Sequence, residues 1–177
     1  MKMKVLIVFI MSFVLFQNNI MAQKGYADKV NQLNSKGQKE GLWIEDTQNV
    51  KCYSYFKNGV RDGLYWCVNK LKNRISSFGE FLNGEYSGTW YYFGDYGHLM
   101  MIQKDFQKNI YKTPIEHHAQ GVCPCRCYCI EYYPNGNKKS EGILLWDEDP
   151  QSDFTFEYGE WKYYDENGNL TKTKIFK

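Results

Sequence analysis

The sequence holds little from which an active site could be built. It has three histidines, His98, His117 and His118, and no G-x-S-x-G, no H-E-x-x-H and no phosphate-cradling glycine loop. Histidine is the side chain whose ordinary pKa suits proton transfer near neutral pH. General acid–base chemistry therefore has few carriers, and the chain is read as non-catalytic, with no cofactor. Blocks of like charge are missing too. The 22 basic and 20 acidic residues are interspersed, so the positive field that nucleic-acid binding relies on is absent, as is a polybasic patch for anionic lipid.

Long apolar runs are limited to one, at the N-terminus. Val5 to Phe16, behind Lys2 and Lys4, is about a dozen residues where a membrane span needs ~20. A polar stretch ending in Met21-Ala22-Gln23 follows, which is the pattern of a secretory signal peptide cut after Ala22. The first cysteine is Cys52, so no lipid-modified cysteine follows the run. The expected location is periplasmic or extracellular, where thiols meet oxidising conditions. Loss of Lys2 and Lys4 takes the 22 basic residues down to the acidic count of 20, leaving a chain near neutrality.

Aromatic residues are plentiful, with 15 Tyr, 11 Phe and 5 Trp making 18% of the chain. Large flat rings favour pleated, half-buried surfaces, which points to an all-β protein. A phrase of turn, glycine and aromatic strand recurs as KGQKEGLWI from Lys36, NGVRDGLYW from Asn58, NGEYSGTWYYF from Asn83 and YGEWKYYDENGNL from Tyr158. Its glycines Gly41, Gly63 and Gly88 lie 22 and 25 residues apart, and Gly159 lies 71 further on, near three more periods of ~24. Asn-Gly pairs at Asn58-Gly59, Asn83-Gly84, Asn135-Gly136 and Asn167-Gly168 supply the positive φ of a tight hairpin turn. The result is a row of antiparallel hairpins.

EYYPNGNKKSEG, Glu131 to Gly142, and GEWKYYDENGNL, Gly159 to Leu170, resemble the bacterial variant of the MORN repeat. The resemblance covers about residues 35–177 and implies an elongated antiparallel sheet of β-hairpin repeats. It further implies protein partners, self-association or contact with a membrane surface. On this reading residues 1–22 are the signal peptide, 23–35 a linker and 36–177 the repeat domain. The stretch 105–121 is an irregular insert lacking the phrase, and Asp147 to Asp153 is an acidic loop. SGTWYYFGDYGHLM, Ser87 to Met100, is similar to one unit of the cell-wall repeats that hold glycan or choline between rings, here Trp90, Tyr91 and Tyr92. That implies a glycan- or choline-binding module as the alternative.

Aligned on the leading glycine, Trp43, Tyr65, Trp90 and Trp161 share one position, and Cys67, Tyr92 and Tyr163 follow two residues later. A side-chain period of two puts them on one face. Core packing is the first reading of this stripe. A thin sheet leaves some rings open, so Trp43, Tyr65, Trp90, Tyr92, Trp161 and Tyr163 are also the candidate interaction face.

Four of the six cysteines, Cys123, Cys125, Cys127 and Cys129, alternate along GVCPCRCYCIEYY. Matching Tyr132-Tyr133 to Tyr163-Tyr164 places them on the face opposite the aromatic stripe. Four sulfurs spread over ~20 Å of extended strand cannot surround one tetrahedral zinc. A looped segment could combine His117, His118, Cys123 and Cys125 as ligands, but the usual two-residue spacing is absent. The C-x-x-C redox motif is missing as well. Export favours disulfides, among these four or to a neighbouring strand; inert thiols are the other reading. For Cys52 and Cys67, pairing Lys57 with Leu64 sets Cys52 against Asn69, one diagonal from Cys67. A register change of one pair would set the two cysteines opposite each other for a disulfide, and two core thiols are the alternative.

Overall fold

The computed structural model describes residues 30–110, 125–146 and 155–177. The proposed signal peptide, most of the linker, His117, His118, Cys123 and the acidic loop lie outside these residues. Among the described residues, Asn-Gly punctuation and aromatic runs produce eleven strands: β1 (Gln32–Leu33), β2 (Lys39–Asp46), β3 (Val50–Lys57), β4 (Val60–Asn69), β5 (Arg74–Leu82), β6 (Glu85–Phe93), β7 (Leu99–Lys108), β8 (Cys125–Tyr132), β9 (Lys138–Trp146), β10 (Thr155–Tyr164) and β11 (Leu170–Phe176). Each pairs with its chain neighbours, so the spatial order is the sequence order in one open antiparallel sheet. The fold is all-β, as expected. Pairing begins at Gln32, before residue 36, and β7 runs on to Lys108, so the first residues after 105 are strand.

Two turn types alternate with sequence logic. Asn58-Gly59 and Asn83-Gly84 are two-residue turns with both φ values positive, the I′ geometry whose twist matches the strands. At Asn135-Gly136 and Asn167-Gly168 only the glycine has positive φ, and the loop is wider. Gly136 N–H donates to Tyr133 C=O and Tyr133 N–H to Asn137 C=O, a pair of bonds repeated at Asp165, Gly94 and Asn34. The tight-turn expectation thus holds for two of the four Asn-Gly pairs.

The glycines of the repeated phrase have a second task. Gly63, Gly88 and Gly159 have φ of +117°, +63° and +68° and sit in register shifts between β3 and β4, β5 and β6, and β9 and β10. They are β-bulge residues in a conformation glycine adopts without strain. The β7–β8 pair bulges at the same level of the sheet, between Lys104 and Gln107. There the positive φ, +58°, falls on Asp105.

Turn bonding also corrects the register of the cysteine run. Tyr133 and Asp165 are equivalent, so Tyr132 matches Tyr164, Glu131 matches Tyr163, and Cys129 takes the place of Trp161. Matching the two Tyr-Tyr pairs is one residue out, and a slip of one flips every side chain to the other face. Gln103 pairs with both Trp90 and Cys129, which puts Cys125, Cys127 and Cys129 on the aromatic face and not opposite it. Cys127 stands where the other repeats have the bulge glycine. That substitution is why the phrase is unreadable here and why the bulge moves to β7.

Candidate interaction faces

The six predicted rings share one face, called here the first face. Reading across the strands, Trp43 pairs with Ser54, Ser54 with Tyr65 and Tyr65 with Gly79; Trp90 then pairs with Gln103, Gln103 with Cys129 and Cys129 with Gly142. Ser54 and Gly79 thus separate the rings of β2, β4 and β6, and Gln103, Cys129 and Gly142 lie between the rings of β6 and β10. The indoles of Trp90 and Trp161 lie over Gly79 and Gly142. A Cβ on Gly79 would come within 2.2 Å of Trp90, and one on Gly142 within 2.5 Å of Trp161. The indole N–H groups donate to Glu80 C=O at 3.0 Å and Ile143 C=O at 2.8 Å, the polar handle that a buried tryptophan needs. Trp90 and Trp161 are each 2% exposed.

Tyr65, Phe81, Tyr86 and Tyr92 surround Trp90 with centroids 4.5 to 6.3 Å away. Burial pushes the Tyr92 hydroxyl pKa well up, and its O–H donates to Gln103 Oε1 at 3.0 Å. Tyr163 lies 6.3 Å from Trp161 and donates to Glu157 at 2.9 Å. Trp43 and Tyr65 are half-buried. The stripe breaks at β8, where Cys129 holds the ring position. The first face is therefore a tiled core in two patches, and its rings are largely spent on one another.

Cys52 and Cys67 are directly opposite and form a disulfide on this face. The bulge at Gly63 supplies the register change that a simple hairpin count lacks. Tyr65 O–H donates to Cys67 Sγ at 2.9 Å. Cys127 and Cys129 are not disulfide-bonded, contrary to the expectation from export. Their cross-strand neighbours are Leu144, Gln103 and Gly142, so among the described residues no cysteine stands opposite either, and alternate residues of one strand are ~7 Å apart. Both are buried, at 2% and 1% exposure. Burial pushes the Cys129 thiol up to about 12 and the Cys127 thiol higher, so neither is a poised nucleophile.

The second face has a feature that the sequence reading missed. Ile44, Tyr53, Trp66, Phe78, Tyr91, Ile102 and Ile130 are successive cross-strand partners on β2 to β8. They form a ladder of apolar side chains perpendicular to the strands, ~29 Å long at the usual strand spacing. Tyr53 and Trp66 stack with centroids 4.7 Å apart. Phe78 at its midpoint is 36% exposed, and Leu64, Ile75 and Leu82 beside it on the same face are more so. The ladder ends at Glu141 on β9, the partner of Ile130. Burial opposes ionisation of Glu141, but hydrogen bonds from Lys138, Tyr164 and Tyr128 outweigh it and hold the carboxyl below its usual range.

No known protein family, curated protein or solved structure matches the chain.

A cleft of about 430 Å³ opens at one end of the first face, lined by Glu85, Tyr86, Phe106, Gln107, Lys108, Cys125 and Trp146. Phe106 stacks on Tyr86 at 5.5 Å, and Trp146 stands edge-on to both. Of the glycan-binding candidates, Trp90 is buried and Tyr91 faces the other side of the sheet, so the three cannot form one platform. A ring-lined site exists instead at Tyr86, Phe106 and Trp146, from residues that the repeat alignment did not single out.

Proposed function

We propose that the protein is a non-catalytic, exported repeat module of the MORN-like kind that serves as a protein-docking surface through its second face. The observation that carries this reading is the apolar ladder from Ile44 to Ile130, half-exposed in the single sheet that the described residues form. A sheet buries its apolar faces against another layer. The first face meets this need with its own tiled rings, whereas the second leaves Trp66, Phe78 and their neighbours for a partner. The Cys52–Cys67 disulfide supports export, since such bonds persist in oxidising compartments.

A photo-crosslinking residue at Phe78 in the producing cell tests the reading, with the same residue at Lys172, on the first face, as control. Adducts with a defined protein at Phe78 alone, lost on Trp66→Asp, are expected. Equal adducts at both positions, or none at Phe78, would sink the proposal. The Tyr86–Phe106–Trp146 cleft favours glycan or choline binding as a second reading. Saturable binding of either ligand that disappears in Trp146→Ala would put that reading first.

A further inference from the structure

The protein that docks on the second face, we infer, is a second copy of the same chain, which closes the single sheet into a two-layer sandwich. The inference rests on the reading of that face as an interaction face and adds the identity of the partner.

Size makes the first argument. Strands β2 to β8 are eight to ten residues long. At ~3.3 Å per residue and ~4.8 Å per strand step, the patch they present measures about 26 by 29 Å, roughly 750 Å². A stable dimer buries about 800 Å² on each partner. The face is thus close in size to what a stable dimer buries on each partner.

Shape and charge make the second. A flat pleated surface is matched best by another pleated surface ~10 Å away, and this chain supplies one whose apolar row is seven strands wide. Two-fold pairing through the midpoint of the row would set Phe78 against its counterpart, with the rings of Trp66 and Tyr91 on either side. Self-pairing of this kind is the commonest symmetry among oligomers. Without Lys2 and Lys4 the exported chain has 20 basic and 20 acidic residues, which leaves little long-range repulsion between copies.

The test is made on the exported chain, without the proposed signal peptide. Sedimentation equilibrium should give twice the chain mass. Trp66→Glu combined with Phe78→Glu should give the monomer mass with an unchanged far-UV spectrum, and Phe78→Cys should cross-link to itself under mild oxidant while Lys172→Cys does not. Hydroxyl-radical footprinting of the unmodified chain keeps the outcome readable even if a variant fails to fold. A monomer at every concentration with Trp66 readily oxidised would overturn self-docking and leave the docking face standing. A monomer with Trp66 protected would overturn both, since the chain would then cover the face itself.

Discussion

Gly79 and Gly142 show how tightly single positions are held on the first face. Each lies under an indole, and an added methyl would sit 2.2 to 2.5 Å from ring atoms, so the tryptophan must move. Gly142→Ala is expected to cost about 1–3 kcal/mol, the usual penalty of overpacking, measured by urea denaturation, with a changed near-UV signal from Trp161. Burial makes Cys127 and Cys129 inert. Neither should react with a thiol reagent in the native protein, and both should react once it is unfolded; fast native labelling would contradict their burial. Glu141 governs an acid limb. Its folded pKa is depressed, so its contribution is present above the unfolded value of about 4.3 and is lost as pH falls through the lower folded value. Glu141→Gln should flatten the fall of the urea midpoint below that pH. Burial was legible at this scale for the rings, because glycine spacing alone aligned Trp43, Trp90 and Trp161. For the cysteines it was not, since one extra residue in the loop before Gly168 decides their face.

Among elements, the bulge between β7 and β8 is the one that departs from the repeated phrase. Asp105 carries a positive φ of +58° where the equivalent bulges on β4, β6 and β10 use Gly63, Gly88 and Gly159, and a non-glycine residue there costs of order 1 kcal/mol. Asp105→Gly should therefore raise stability by about 0.5–1 kcal/mol, read as a shift in urea midpoint. The β3–β4 hairpin is held by the Cys52–Cys67 disulfide, with a separation of 15 residues. Replacing both cysteines by serine should lower stability by about 3 kcal/mol in the chain-entropy account, and reductant should produce the same loss in the unmodified chain. Strand existence and hairpin order could be read from aromatic runs and Asn-Gly pairs. Register could not, because each bulge adds residues on one strand only, and the pairing of Cys52 with Cys67 depends on the bulge at Gly63. The ladder on the second face was hidden for the same reason: Ile44, Tyr53, Trp66 and Phe78 have no common spacing and meet only when every register is correct.

In the whole molecule each strand packs chiefly on the two beside it in the chain. Such a meander behaves as a nearly one-dimensional array, with stability set by nearest-neighbour interfaces and with contacts local enough for rapid folding. This topology also fixes the response to tension. A pull on the C-terminal end would strip β11 from β10, then β10 from β9, one strand at a time like a zipper, each step a small force peak. The peeling would stop where β4 meets β3, because Cys52 and Cys67 lock those strands covalently. The disulfide thus acts as a mechanical end-stop that shields the β3–β4 turn between Cys52 and Cys67, and adding reductant should lengthen the fully extended chain by the loop it encloses.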